Sequence, residues 1–154
     1  MIKLISAISL NNVIGNKNKL PWYYSEDLKR FKELTVNSTV VMGATTFLHD
    51  LNSEPLKGRT NIVLSSKLNS LDYTQVKISK SVEEIIKTNR DFWVIGGKTI
   101  YELFLPLANM MVITHIHRSF IGDCYLNIDY SKWILSRQQT REELTYCTYL
   151  RNSN

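Results

Sequence analysis

Short apolar runs alternate along this chain with segments whose apolar residues recur at helical spacing. The run at residues 3–10 predicts a buried strand near the N-terminus, because such runs are typical of strands covered on both faces. The same pattern predicts further strands at residues 39–42, 61–64, 75–78, 92–95, 110–116, 133–136 and 144–150. Helices are predicted between the strands, at residues 25–34, 45–51, 81–87 and 99–105, the third opening with a capping box.

The alternation of strands with helices indicates the fold class. It favours an α/β fold with a mainly parallel twisted sheet and flanking helices. The last two strands follow one another without a helix, so we expect a hairpin that forms an antiparallel C-terminal edge. No linker or repeat interrupts the pattern, and we expect a single domain over residues 1–154.

Composition narrows the class of protein further. Hydrophobic residues make up 44% of the 154 positions and charged residues 21%, which is typical of a soluble globule with a sizeable core. No run of about eighteen apolar residues predicts a membrane span. The N-terminal run lacks the cleavage site of a signal peptide, and Cys124 and Cys147 form no CxxC pair. We therefore expect a cytoplasmic protein that has no membrane partner.

The net charge of +5 and the pI near 9.2 leave two interpretations open. The lysines are scattered, which fits an ordinary solvated surface, or they attract an anionic small ligand. No recognition motif for nucleic acid accompanies the charge, so we do not expect a nucleic-acid partner.

Asp27 is the most informative polar residue. The first predicted helix places Leu28, Phe31 and Leu34 in a buried stripe. Asp27 lies four residues before Phe31 and therefore on the same side. A carboxylate in an apolar wall is protonated more readily than a free one, or it meets a ligand that donates hydrogen bonds. Alternatively, Ser25 is the N-cap and Asp27 only complements the helix dipole.

Small and hydroxyl residues follow three of the predicted strands, at residues 43–46, 65–66 and 96–97. Ligands of open α/β sheets bind beyond the carboxyl ends of the strands. A helix that starts after glycines, as it does after Gly96 and Gly97, offers N–H groups to a phosphate. Three such edges suit a dinucleotide. The G-x-G-x-x-G fingerprint and the P-loop are absent, and a Gly-Gly pair alone also fits a tight turn.

Other catalytic arrangements have less support. His115 and His117 face the same side of a predicted strand, but no third ligand accompanies them, and we expect ordinary strand residues and no metal. The chain has no G-x-S-x-G elbow, and no second carboxylate matches Asp27 as a glycosidase would require.

Motifs in a consistent order carry a resemblance to a known family. They comprise Ala7, residues 13–15 and 20–22, Asp27 with Leu28 and Phe31, Met42 with Gly43 and Thr46, Gly58 with Arg59, residues 61–66, residues 94–97 with Tyr101, residues 114–116, and Gly122 with Asp123. In order and spacing the chain resembles bacterial-type dihydrofolate reductases over nearly its whole length. The resemblance implies their fold and the NADPH-dependent reduction of 7,8-dihydrofolate to 5,6,7,8-tetrahydrofolate. Hydride is added at C6 and a proton at N5, in support of one-carbon metabolism and thymidylate synthesis.

The resemblance also implies roles in catalysis and substrate binding. Asp27 would hold the pterin through its N3 and 2-amino groups and promote protonation at N5. Trp22 would hold a bridging water, Thr114 would brace the carboxylate, and Leu20 belongs to the same catalytic group. Arg59 would pair with a carboxylate of the glutamate tail, a task suited to its planar fork. The implied substrate site is Ile5, Ala7, Asp27, Leu28, Phe31, Leu51, Leu56, Arg59, Ile95, Tyr101 and Thr114.

The implied cofactor is NADPH, enclosed by a loop from Gly15 to Leu20 that excludes water. The implied cofactor site is Ala7, Ile14, Gly15, Asn18, Lys19, Leu20, Gly43, Thr45, Thr46, Leu64, Ser65, Ser66, Lys67, Lys80, Ile95, Gly96, Gly97, Lys98, Thr99, Ile100 and Tyr101. The expected partners are dihydrofolate and antifolate-like small molecules, and the expected state is a monomer.

The chain departs from the family pattern at four places. Ala44 stands where an arginine often grips the 2'-phosphate, which leaves the strength of the NADPH preference open. Lys98 replaces a small residue, residues 49–54 form a slightly longer segment, and Leu126-Asn127 replaces an aromatic-proline pair.

Two alternative functions remain to be weighed. A related reductase could act on another pteridine or a pyrimidine, but the combination of Asp27 and Arg59 suits a pterin with a glutamate tail. A non-catalytic protein with the same fold would be expected to lose Asp27, Trp22 or the Gly96-Gly97 pair, and all are present.

Overall fold

Strands from both ends of the chain meet in one sheet. The computed structural model describes residues 1–153. Its strands are β1 (Ile2–Ser9), β2 (Val13–Gly15), β3 (Thr39–Gly43), β4 (Thr60–Leu64), β5 (Lys77–Ser79), β6 (Phe92–Val94), β7 (Met110–Ile116), β8 (Cys124–Tyr125), β9 (Trp133–Arg141) and β10 (Leu144–Arg151). Its helices are α1 (Ser25–Thr35), α2 (Val82–Thr88) and α3 (Lys98–Phe104), with a π-helical segment at Thr46–Asp50 and 3₁₀ turns at Leu105–Leu107 and Tyr130–Lys132.

The main sheet has the strand order β5-β4-β3-β6-β1-β7-β10-β9 in the described chain. Strands β1 and β3 to β7 run parallel to their neighbours. Strand β10 is antiparallel to β7, and β9 is antiparallel to β10. The predicted α/β fold with a mainly parallel sheet and an antiparallel C-terminal edge is therefore confirmed.

Three features of the strands differ from the prediction. Strands β2 and β8 pair in a small second sheet and were not predicted, because two or three residues are too few to show a period. Strand β9 continues through Arg141 instead of ending at residue 136. Beyond Trp133 its side chains are exposed, since it is an edge strand, so its extent depends on pairing with β10 and not on apolar alternation. The other predicted elements are present with bounds shifted by a residue or two.

Two predictions about α1 are wrong. Tyr24, not Ser25, occupies the N-cap, and no side chain caps the helix. Leu28 and Leu34 are 44% and 36% exposed, and the one buried residue of the helix is Thr35. The apolar side of α1 does not pack flat on the sheet, because its N-terminal half borders a cavity that Leu28 lines. The expected capping box of α2 is confirmed, since Ser81 Oγ accepts a hydrogen bond of 3.1 Å from the Glu84 N–H.

The hydrophobic core lies on both faces of the sheet. Successive residues of β1 illustrate this, because Leu4 packs in a cluster with Phe104 and Ile5 in a cluster with Phe47.

His115 and His117 of β7 contact hydroxyl groups of β10. His115 Nε2 lies 2.9 Å from Tyr149 Oη, and His117 Nε2 lies 2.6 Å from Thr145 Oγ1. Within residues 1–153, no helix has the length and apolar character needed to cross a membrane.

Candidate active site

A cavity of about 520 Å³ lies between α1, the middle of the sheet and the loop after β6. Many of the residues implied by the resemblance line it. These are Ile5, Ala7, Ile14, Lys19, Leu20, Trp22, Asp27, Leu28, Phe31, Thr46, Leu51, Leu56, Ile95, Gly96, Gly97, Tyr101 and Thr114. Residues from five separate parts of the chain therefore face one space, which has the size and mainly apolar wall of a small-molecule site.

The Asp27 carboxylate is the main polar group of the apolar part of this cavity. Thr114 Oγ1 donates a hydrogen bond of 2.6 Å to Asp27 Oδ1, which ties the first turn of α1 to β7. Burial raises the pKa of Asp27, while the Thr114 hydrogen bond and the charge of Arg30 lower it and Glu26 raises it. A carboxylate in this setting gains most from a ligand that donates hydrogen bonds to it.

The aromatic wall beside Asp27 is held by the loop after β7. The Trp22 ring lies 5.2 Å from the Phe120 ring, centroid to centroid, in a tilted arrangement. Asn11 fixes Phe120 by donating to its carbonyl oxygen (2.8 Å) and accepting from its N–H (3.1 Å). Leu20 is half-exposed at the cavity mouth, where a closing loop would place an apolar side chain.

Gly96 and Gly97, after the end of β6, form the opposite wall, and Gly43 at the end of β3 supports them from outside the cavity. The Gly43 N–H donates to the Gly96 carbonyl oxygen (2.9 Å), and a Cβ on Gly43 would lie 2.7 Å from Ile100 Cγ1. Gly96 has a φ of +123°, which side-chain-bearing residues rarely adopt. Tyr101 supports this wall because its hydroxyl donates to the Ile5 carbonyl oxygen (2.7 Å) and its N–H to the Gly97 carbonyl oxygen (2.9 Å). The bare backbone lets a flat ligand approach closely.

The carboxyl ends of three parallel strands lie level beside the glycine wall. Gly43 pairs with Leu64 and Leu64 with Ser79, so β3, β4 and β5 end at the same height. The Ser65 N–H donates to the Ser79 carbonyl oxygen (2.9 Å) and brings the loop after β4 next to Lys80. Ser65 and Lys80 therefore lie side by side at this edge.

Comparison with known proteins decides the family. A model of dihydrofolate reductase matches residues 1–151. The dihydrofolate reductase of Buchnera aphidicola subsp. Acyrthosiphon pisum is 37% identical over 155 residues, which cover 96% of this chain and 94% of the relative. That of Bacillus subtilis is 36% identical over 148 residues, covering 93% and 87%. The chain belongs to the dihydrofolate reductase family.

A solved dihydrofolate reductase supports the same conclusion. The enzyme from Enterococcus faecalis, complexed with NADP(H) and RAB-propyl, superimposes with a TM-score of 0.87 at 34% identity. The match covers 99% of this chain and 97% of that chain. The predictions of the family, of its fold and of an NADPH-dependent enzyme that reduces dihydrofolate are therefore confirmed.

Some residues implied by the dihydrofolate reductase resemblance do not line the cavity. They are Gly15, Asn18, Gly43, Thr45, Arg59, Leu64, Ser65, Ser66, Lys67, Lys80, Lys98, Thr99 and Ile100. Most of them lie along the strand ends or in α3, beyond the enclosed part of the site. Their roles stay predictions. Arg59 lies behind Phe31, with its guanidinium carbon 6.0 Å from that ring and a hydrogen bond of 3.0 Å to Thr35 Oγ1.

The cavity also contains residues that the sequence did not single out, namely Ser6, Tyr23, Tyr24, Arg30, His49, Asp50 and Asn52. Asp50 is the most notable, because it is a second acid at the cavity, on a residue that is exposed overall. Burial raises its pKa, and the neighbouring His49 lowers it. The length of segment 49–54 was noted in the sequence, but a length difference carries no signal for which side chains turn inward.

Proposed function

We propose that Asp27 is the group that binds and activates dihydrofolate in this cavity. The observation that carries the proposal is a partly buried carboxylate, braced by Thr114, that faces an apolar cavity opposite a wall of bare glycine backbone. The carboxylate accepts hydrogen bonds from N3 and the 2-amino group of the pterin. Its negative charge then favours the protonated form of the ring at N5.

The glycine wall fits a nicotinamide cofactor, because Gly96 and Gly97 line the cavity and have no side chain between their backbone and a ligand ring. When bound, NADPH supplies the hydride that is added at C6 of the substrate. Ala7, Ile14 and Ile95 line the same cavity and would align the two ring systems. The residues beyond the cavity, from Thr45 to Lys80 along the strand ends, would hold the remainder of the cofactor.

The loop from Gly15 to Leu20 would close the site against water. It has internal order, because Asn16 and Lys19 exchange backbone hydrogen bonds of 2.8 and 3.1 Å. The Lys17 N–H donates to Asp123 Oδ2 (3.1 Å), which anchors the loop to the segment that precedes β8. Exclusion of water strengthens the electrostatic effect of Asp27 on the bound pterin.

The direct test is NADPH oxidation by the purified chain, followed by absorbance with dihydrofolate as substrate. We expect turnover that stops when dihydrofolate is omitted. Folded protein that binds both ligands without turnover would contradict the proposal.

Arg59→Lys is expected to weaken dihydrofolate binding by about tenfold and to leave NADPH binding unchanged. Lysine keeps the charge but loses the bidentate geometry for the tail carboxylate, and a charged hydrogen bond contributes about 1.5–3 kcal/mol. Fluorescence titration of the free enzyme measures both constants. A dihydropterin without the glutamate tail is the control, since its affinity should not respond. Equal losses for NADPH and dihydrofolate would refute a role in tail binding.

We further propose that one domain spans residues 1–154 and acts as a cytoplasmic monomer. A sheet that takes strands from both ends of the described chain supports the single domain. Antifolate-like molecules that donate hydrogen bonds to Asp27 are expected to compete with dihydrofolate, because the cavity has the volume of a drug-sized site. Sedimentation at micromolar concentration tests the monomer, and inhibition kinetics test the competition.

A further inference from the structure

Four side chains, those of Asp27, Arg30, Thr114 and Tyr146, lie together between α1 and the sheet. Asp27 and Arg30 lie three residues apart on α1, a spacing that makes side chains neighbours. Thr114 donates its hydrogen bond to Asp27 and pairs across the sheet with Tyr146 of β10, so both side chains leave the same face. The guanidinium carbon of Arg30 lies 4.6 Å from the centroid of the Tyr146 ring, which ties Arg30 to the residue that pairs with Thr114.

Arg30 lies between two cavities. It lines the substrate cavity together with Asp27, and it also lines a second cavity of about 310 Å³ between α1 and the C-terminal hairpin. Two acids of α1, Glu26 and Glu33, line the outer cavity beside Arg30, and Glu26 pairs with Arg141 of β9, with Nε 3.5 Å from Oε1. Glu26 is therefore engaged with another cation, and the charge of Arg30 can act on Asp27.

Tyr146 contacts Arg30 through its ring and not through its hydroxyl. The side chain is only 5% exposed, and its Oη has no hydrogen-bond partner among residues 1–153. A buried hydroxyl without a partner costs free energy, so the hydroxyl does not explain the contact. The ring face, by contrast, attracts a guanidinium at this distance and restricts where it can go.

We propose that Arg30 is a positioning residue that Tyr146 holds beside Asp27, where its positive charge keeps the carboxylate ionised for the pterin. The inference concerns the ionisation of Asp27 and rests on the proposed function for its effect on the reaction. No contact between Arg30 and substrate is invoked.

The electrostatic balance around Asp27 supports this role. Burial raises the pKa of Asp27, and Arg30 is the cation that lowers it, alongside the Thr114 hydrogen bond. The other ionisable groups that line the two cavities are Lys19, Tyr23 and Tyr24 before α1, Glu26, Lys29 and Glu33 on α1, His49 and Asp50 of the π-helical segment, Tyr101 on α3, Arg141 on β9 and Tyr146 on β10. Removal of Arg30 leaves burial and Glu26 less opposed, so the pKa of Asp27 must rise.

The test is a titration of the Asp27 carboxyl carbon by NMR in the full chain labelled with ¹³C-aspartate. We expect Arg30→Met to raise the midpoint by about half a pH unit, the scale for a partly exposed neighbouring charge. Lys32→Met is the matched control, because it removes one positive charge from an exposed position of the same helix. Its midpoint should equal that of the parent. Arg30→Lys should recover part of the shift, and added salt should reduce it.

Variants of Tyr146 test separately whether its ring holds Arg30 in place. Tyr146→Phe keeps the ring and should leave the midpoint unchanged, whereas Tyr146→Leu frees Arg30 and should raise the midpoint. Equal midpoints for the parent and Arg30→Met overturn the inference, as does an equal shift in Lys32→Met. The pH profile of single-turnover hydride transfer is recorded in parallel. A shifted carboxyl midpoint with an unshifted rate profile would support the Arg30 inference and contradict the proposed role of Asp27.

Discussion

Asp27→Asn is expected to slow hydride transfer by about a hundredfold or more near neutral pH, the usual scale for a group that assists proton transfer. The amide has nearly the same shape and can still accept the Thr114 hydrogen bond. It has no negative charge, however, and cannot favour a protonated N5. Single-turnover rates with preformed NADPH complex measure this step without interference from product release.

The pH dependence of the hydride-transfer rate tests the same role of Asp27. Because burial raises the pKa of Asp27 and the ionised carboxylate is the form that favours a protonated N5, the parent should lose rate as the pH falls through a midpoint above that of a free aspartate. In Asp27→Asn the midpoint due to the carboxyl should vanish. Parent-like rates in the variant would mean that Asp27 only complements the dipole of α1, the alternative that its position in the first turn also allows.

The stability of the same variant is a control for folding. A carboxyl whose pKa is raised on folding stabilises the protein fully below its unfolded-state pKa, and this contribution is lost as the pH rises through the folded-state value. The ionised carboxyl of the parent therefore costs stability at neutral pH. We expect Asp27→Asn to melt at the same or a higher temperature than the parent at neutral pH and to lose this advantage in acid.

Lys67→Ala is expected to lower the preference for NADPH over NADH by about tenfold to a hundredfold. One charge-assisted contact to the 2'-phosphate contributes about 1.5–3 kcal/mol, and each 1.4 kcal/mol is a factor of ten. Ala44 supplies no such contact. Lys67 follows β4, where Ser65 Oγ shapes the turn by accepting from the Lys67 N–H (3.2 Å) and the Leu68 N–H (3.1 Å).

The measurement is the ratio of kcat/KM for the two cofactors. Lys87→Ala is the matched control, since Lys87 is exposed in the last turn of α2 and away from the level strand ends. A parental ratio near one would show that the enzyme does not discriminate between NADPH and NADH when Ala44 replaces the arginine that often grips the 2'-phosphate in this family. A large ratio that survives Lys67→Ala would assign the phosphate to another cation, and Lys80 and Lys98 would be tested next.

The fold class was predictable because it depends on local patterns. Strand β7 has the predicted bounds, since an apolar run between turn signals is visible in the sequence itself. The capping box at Ser81 was predictable for the same reason, because its donor and acceptor lie three residues apart. Strand β9 was predicted too short, because an exposed edge strand is defined by its partner and its own residues show no alternation.

The candidate site also combines features that local sequence patterns predict with features that depend on tertiary contacts. The sequence by itself determined that Asp27 lies on the apolar side of a helix and that glycines follow two strands, because both are properties of spacing. The Thr114 brace was implied by the resemblance, and the tertiary structure supplies its geometry. Only the tertiary structure decided that Leu28 faces a cavity instead of the core and that Arg30 rests on Tyr146. These contacts join residues far apart in the chain, and their geometry follows from how α1 packs against the sheet. Periodicity along the sequence contains no information about that packing.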